Sequence, residues 1–242
     1  MIKLVVFDLD DTLAPVGRGI AEHDLKLLKE LEDMGVRIVL SSGKPTYYLC
    51  GLLRQLGLKH PIMIGENGIV IQFGVDLPPK KYYVLPYPEA AARSLVFLKE
   101  AIQEKLPGMW FQPNEVALTP FPTKEEEFRI INEIIEKNKE RIEGVTVYQH
   151  GDSFDFVPEG MNKGTGLLYL ADLLGISMEE TAAVGDGIND YAMFENAGFS
   201  VGIRLSQPEK AVICVNSITE ALKTLLSAVR VLNVSEMPHE QY

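Results

Sequence analysis

Cysteine is scarce in this chain. Among 242 residues only Cys50 and Cys214 carry thiols, far apart and in apolar surroundings. A disulfide framework needs more bridges and a shorter chain, so two buried, reduced thiols are expected. Histidine is scarce as well: His23, His60, His150 and His239 form no cluster and are given no role. Without a nearby group of Cys and His, zinc is not expected. No apolar run approaches the roughly 18 residues of a membrane span, so no membrane partner is expected. The short N-terminal apolar run has no basic stretch before it, so a secretory leader is not expected and a cytoplasmic location is. Basic residues are outnumbered, 23 Lys and Arg against 34 Asp and Glu, for a formal charge of -11. Such a surface repels phosphate backbones and argues against nucleic acid. An anionic substrate would then need a local cation.

What is present reads as alternating strands and helices. "LVVF" at Leu4 to Phe7 is continuously apolar, as for a strand covered on both faces. In "EHDLKLLKELEDMG", Leu25, Leu28 and Leu31 recur at helical spacing and Gly35 ends the run. "VRIVLSSG", "TYYLCGLLRQLGL" and "PIMIGENG" continue as strand, helix and strand. The pattern returns near the C-terminus. "NKGTGLLYLADLLGI" and "NDYAMFENAG" read as helices and "TAAVGDG", "FSVGI" and "AVICV" as strands. "SITEALKTLLSAV" reads as a last helix capped by Ser217 or Thr219, before a polar tail expected to fray. This order predicts an α/β fold with a doubly wound parallel sheet and right-handed crossovers.

The middle breaks the pattern. "GIVIQFGVDLPPKKYYVL" reads as a hairpin. Two helix–hairpin units follow, the first turning at Pro113-Asn114 and the second at Gly151-Asp152. They form a smaller α+β insert, with Trp110 and Phe111 in its core. The expected division is a core of 1–80 and 158–242 around an inserted domain of 81–157.

In open α/β sheets, ligands sit at the carboxyl ends of the strands. The first strand ends in Asp8, Asp10 and Thr12, and the second in Ser41, Ser42, Gly43 and Lys44. The third ends in Glu66 and Asn67. The helix after the insert begins with Asn162 and Lys163, and the strand after it ends in "GDGIND", with Asp186, Asn189 and Asp190. Carboxylates crowded into one crevice repel one another unless a hard cation sits between them. Asp8, Asp186 and Asp190 with a backbone carbonyl suit Mg²⁺. With Lys163 and Ser42 at its border, such a site can neutralise a phosphoryl group. Each piece alone has a plainer reading. Asp10 to Thr12 could be a capped turn, "GDGIND" a turn and Lys163 a solvated lysine. An EF-hand starting at Asp8 fails, because Leu13 stands where glycine is needed and Gly19 where the bidentate Glu belongs. Joint occurrence at strand ends favours the site.

"DLDDT", "LSSGK", "NKG" and "GDGIND", in that order, resemble the four motifs of the haloacid dehalogenase superfamily of phosphohydrolases. "SSGK" followed by "GENG", with the insert between the second and third motifs, is similar to the type IIB, Cof-like branch. That branch includes archaeal-type phosphoglycolate phosphatases and sugar-phosphate phosphatases. The resemblance covers residues 1 to about 228. It implies Asp8 as nucleophile, forming an aspartyl-phosphate, and Asp10 as the acid and base. It implies that Ser42, Gly43, Lys44, Asn67, Lys163 and Asn189 bind phosphate or substrate. It also implies that Asp8, Asp186, Asp190 and the Asp10 carbonyl hold Mg²⁺. The sequence departs from the branch at Asp11, Ser42 and Lys44, where Gly, Thr and Arg are frequent. The expected activity is hydrolysis of small phosphorylated metabolites by a monomer or homodimer. A phosphosugar mutase and a non-catalytic phospholigand-binding module are the alternatives. The insert's acidic "KEEEFR" and the retention of both Asp8 and Asp10 weigh against them. Asn114, Glu115 and Thr119 of the insert are the candidates for leaving-group recognition.

Overall fold

Both faces of β1 (Leu4–Phe7) are covered, which is why its four residues are all apolar and all buried. The computed structural model describes residues 1–235; the tail read as frayed lies, apart from Ser235, outside them. Around β1 the chain lays down α1 (Glu22–Asp33), β2 (Arg37–Ser41), α2 (Thr46–Leu56), β3 (Ile62–Gly65), β4 (Val70–Phe73) and β5 (Lys81–Val84). The middle segment adds α3 (Glu89–Lys105), α4 (Glu125–Lys137), β6 (Val145–Gln149) and β7 (Phe154–Pro158). The chain then returns through α5 (Lys163–Leu174), β8 (Thr181–Gly185), α6 (Tyr191–Asn196), β9 (Phe199–Ile203), β10 (Ile213–Val215) and α7 (Ile218–Ser235).

Eight strands form one sheet in the order β10-β9-β8-β1-β2-β3-β4-β5. The pairs from β10 to β3 are parallel, whereas β3–β4 and β4–β5 are antiparallel. The chain leaves β1 toward β2 on one side and later returns to β8 on the other. The crevice beyond the carboxyl end of β1 is therefore the topological switch point. Period-2 alternation sends Val5 and Phe7 to one face and Leu4 and Val6 to the other. The first face packs Leu28 and Leu31 of α1, Leu49 and Leu53 of α2, and Leu222 and Leu225 of α7. The second packs Leu167 and Leu170 of α5 with Met193 and Phe194 of α6. Each fully buried leucine contributes about 1.5–3 kcal/mol relative to an exposed one.

The middle segment has an apolar cluster of its own, including Leu95, Leu98, Ile131, Phe154 and Phe156. Its second hairpin is the expected β6–β7 pair. Its first is reduced to one isolated bridge, Phe111 to Pro120, and a second bridge, Leu118 to Phe156, ties this segment to β7. Pro113, Pro120 and Pro122 remove backbone donors there and interrupt the ladder. Trp110, expected in this core, is 58% exposed and lies edge-on to Phe121. β5 lies within the range given to the insert, but it pairs with β4 in the central sheet. Cys50 is buried as expected, whereas Cys214 is exposed on the three-residue edge strand β10. Ser217 Oγ accepts the Glu220 N–H in the first turn of α7. Among the described residues, no helix is long and apolar enough to cross a membrane.

Candidate active site

Asp8 follows the last residue of β1, and its N–H donates to the Val184 carbonyl of β8 at 2.9 Å. The chain then turns back on itself: Leu13 and Ala14 donate N–H bonds to the Leu9 carbonyl at 2.9 and 3.1 Å. Asp11 takes up the left-handed conformation this turn needs, with φ 58°. Gly is frequent at this position in the resembled branch, and Asp is among the few other residues that tolerate the region. The turn brings Thr12 beneath the end of β8, where its hydroxyl donates to Asp186 Oδ1 at 2.5 Å.

Lys163 enters from the opposite side, as the first residue of α5. Asn162 caps that helix reciprocally: its Oδ1 accepts the Thr165 N–H at 3.0 Å, and Thr165 Oγ1 accepts the Asn162 N–H at 2.9 Å. The helix start sits tightly against the loop after β3. A Cβ on Gly68, at φ 107°, would lie 2.0 Å from the Asn162 carbonyl oxygen. Lys163 is 1% exposed, and its ammonium donates to Asp8 Oδ1 and to Asp190 Oδ1, both at 2.6 Å. The other Asp190 oxygen accepts the N–H groups of Asp186 and Gly187, each at 3.0 Å. Asp190 thus holds both the lysine and the loop after β8. Gly185 must be small for this, because a Cβ there would stand 2.4 Å from the Asp190 carboxyl.

One oxygen each from Asp8, Asp186 and Asp190 can be found within 4.8 Å of one another. These donors are all carboxylate oxygens, and three carboxylates face one ammonium. The set fits a hard, oxygen-loving divalent cation. The electrostatics agree. Burial is the main cause that pushes the Asp8 carboxyl up to about 7; Lys163 works against it and Asp190 adds to it. Burial also raises Asp186, opposed by the Thr12 hydrogen bond and helped by Asp190. For Lys163, burial disfavours the charge, but Asp190 and Asp8 outweigh it and hold the ammonium above the ordinary lysine range.

The remaining candidates divide into two groups. Asp10 pairs with the Lys44 ammonium, and Ser42 Oγ accepts the Lys44 N–H at 3.3 Å. Asn67 and Asn189 instead line a cavity of about 610 Å³ together with Lys163 and Asn162. The far wall of this cavity comes from the middle segment: Val147 to His150, and Asp155. Asn67 Nδ2 donates to Asp155 Oδ2 at 2.9 Å, and Thr119 Oγ1 to Asp155 Oδ1 at 2.7 Å. The Gly43 carbonyl accepts from Gln112 Nε2 at 2.9 Å. Buried Glu66 accepts the N–H groups of Glu115, Val116 and Ala117 at 2.6, 2.9 and 2.9 Å.

Asn114, Glu115 and Thr119 do not line the cavity. Asn114 bonds Thr119, and Glu115 gives its backbone to Glu66. The residues of the middle segment that face the cavity include His150 and Asp155, which the sequence reading had not assigned. A lone histidine five positions from an aspartate has no local signature, so only the fold brings the pair to the cavity.

The family model for haloacid dehalogenase-like hydrolases matches residues 5–116 and 97–219. The chain belongs to that family. It is 28% identical over 231 residues to a phosphoglycolate phosphatase of Methanococcoides burtonii, covering 91% of each chain. It is 30% identical to one of Metallosphaera sedula, covering 86% of this chain and 88% of the other. Among solved structures, a haloacid dehalogenase-like hydrolase of Bacteroides thetaiotaomicron superposes with TM-score 0.77 at 19% identity, over 93% of this chain and all of that one. A subclass IIB sugar phosphatase superposes with TM-score 0.68 at 21% identity, over 93% and 98%. These likenesses place the chain in the phosphatase class of enzymes.

Proposed function

We propose that the protein is a Mg²⁺-dependent phosphomonoester hydrolase for small phosphorylated metabolites, phosphoglycolate or sugar phosphates, acting through an aspartyl-phosphate on Asp8. The observation that carries this reading is the Asp8–Lys163–Asp190 bridge, with Asp186 beside it, at the switch point of the sheet. Asp8, Asp186 and Asp190 would hold the cation, Asp190 while keeping its bonds to Lys163 and the loop. When bound, Mg²⁺ would offset the negative charge shared by the carboxylates and the phosphoryl group.

Asp8 would attack phosphorus as the bond to the leaving oxygen breaks, and Asp10 would give that oxygen its proton. The same Asp10, now a carboxylate, would take a proton from water as it attacks the aspartyl-phosphate. Inorganic phosphate leaves and Asp8 is regenerated. Asp10 cannot hand over a proton while bonded to the Lys44 ammonium. Incoming phosphoryl oxygens would draw Lys44 away, together with the Ser42 hydroxyl beside it. Lys163 would balance charge as it moves from Asp8 to the phosphoryl oxygens. The segment of α3, α4 and the β6–β7 hairpin would serve as a cap that closes over the cavity.

Incubation with a chromogenic phosphate ester and Mg²⁺, followed by rapid acid quench, tests this reading. Label from the phosphoryl group should be recovered on Asp8. Asp8→Asn should lower turnover about a thousandfold or more while the protein stays folded. A folded Asp8→Asn variant with wild-type turnover would remove the mechanism.

A further inference from the structure

The far wall of the cavity holds an ionisable pair outside the catalytic cluster. His150 Nε2 lies 3.3 Å from Asp155 Oδ2. Asp155 is itself held by further donors, Thr119 on one oxygen and Asn67 on the oxygen that faces His150. It is 8% exposed and has little capacity left for a ligand. A ring nitrogen facing a carboxylate carries the proton, so Asp155 sets His150 with Nε2 as a donor. Among the described residues the second ring nitrogen, Nδ1, has no partner. The imidazole is half exposed and borders the same cavity as Lys163 and Asn189.

From this arrangement we infer that His150, held by Asp155, is the specificity group of the cavity and binds an anionic substituent, a carboxylate, on the leaving group of the phosphate ester. This deepens the phosphomonoesterase reading and rests on it. The ester's phosphoryl end belongs to Asp8 and Lys163, and its other end meets the wall that carries His150. In a protein of formal charge -11, an acidic leaving group needs a local cation there. The charged groups that act on His150 are Asp155, Asp152 and Lys163. The hydrogen bond to Asp155 is the main cause that holds the imidazolium above its ordinary range; burial and Lys163 work the other way. While protonated, the ring offers Nδ1–H to a carboxylate. Once neutral, Nδ1 becomes an acceptor and repels it.

The test is a matched pair of esters, carboxymethyl phosphate and ethyl phosphate, which differ chiefly in the carboxylate. kcat/KM is measured for both with Mg²⁺, in wild type and in His150→Gln, across pH 5.5 to 9. The wild type should prefer the carboxylated ester by about tenfold or more, as for a hydrogen bond to a charged group. That preference should fall as pH rises through the raised histidine value. In His150→Gln the preference should be small and independent of pH. Using the ratio cancels titrations common to both esters, such as those of the phosphoryl group and the catalytic cluster. Turnover of both esters with the preference unchanged in His150→Gln would overturn the assignment. So would a wild-type preference that is absent or flat with pH. Failure of the wild type to hydrolyse either ester would instead remove the phosphomonoesterase reading, and this inference with it.

Discussion

Lys163 Nζ and Asp8 Oδ1 stand 2.6 Å apart although 155 positions separate them in the chain. The contact joins the end of β1 to the start of α5 across the whole middle segment. It is buried, and it is shared with Asp190. Removing the lysine therefore removes the one cation that, among the described residues, bridges Asp8 and Asp190.

Lys163→Met should destabilise the metal-free protein by about 3–5 kcal/mol, the usual cost of leaving buried charge without its partner. Urea unfolding followed by circular dichroism measures this. Added Mg²⁺ should recover part of the loss. A variant as stable as the wild type would mean that the carboxylates are neutralised by some other route.

Excess chelator should abolish phosphatase activity and Mg²⁺ should restore it, because the carboxylates would otherwise repel the phosphoryl group. Asp186→Ala should raise the Mg²⁺ concentration needed for half-maximal activity by at least about tenfold. Its Thr12 partner offers a milder version: Thr12→Val frees the Asp186 carboxylate without removing it. A Mg²⁺ titration of initial rates separates the two variants, and equal requirements in all three proteins would exclude Asp186 as a ligand.

Glu66 is a carboxylate of the core spent on three N–H groups of the middle segment. Burial raises its pKa, and the three backbone donors oppose that shift. Glu66→Gln keeps one acceptor oxygen and should cost about 1–3 kcal/mol of stability. If the bond seats the cap over the cavity, KM should also rise for every ester tested. A loss of stability with KM untouched would confine Glu66 to a structural role.

The His150–Asp155 pair predicts a stability plateau in pH. Asp155 lies below its ordinary 3.8: burial opposes this, but His150, Thr119 and Asn67 outweigh it. Its contribution is present above the unfolded value and fades as pH falls through the lowered one. His150 lies above its ordinary 6.5, so its contribution is complete below that value and fades as pH rises through the raised one. Melting temperature against pH should show both slopes in the wild type. Asp155→Asn should flatten each of them, and an unaltered profile would dissociate the pair from stability.

The core was legible because two signals coincide there. Strands such as Leu4 to Phe7 are apolar on both faces, and each ends in polar residues whose order repeats a known set of motifs. The chain beyond them was harder to read. The insert was expected to start at residue 81, and the chain adds β5 to the central sheet from that residue on. The first hairpin of the middle segment read as two strands around a Pro113-Asn114 turn, but its prolines cannot supply the ladder. Asn114 and Glu115 stood out at a turn, where polar residues are conspicuous in sequence. The structure turns them toward the junction instead and brings His150 to the cavity. Such a placement depends on how the hairpin lies over the sheet, which no local pattern records.

The position of β5 has a consequence for how the molecule behaves in concentrated solution. A sheet's outermost strand offers unpaired backbone groups to any extended chain that passes, which is the usual start of aggregation. Here one outermost strand is β5, four residues long, headed by Lys80 and Lys81 and flanked by prolines at 78, 79, 86 and 88. The other is β10, only three residues long. Short length, lysine and proline each discourage the addition of a further strand. The central sheet thus ends on each side in a strand too short to offer a long template for a further one.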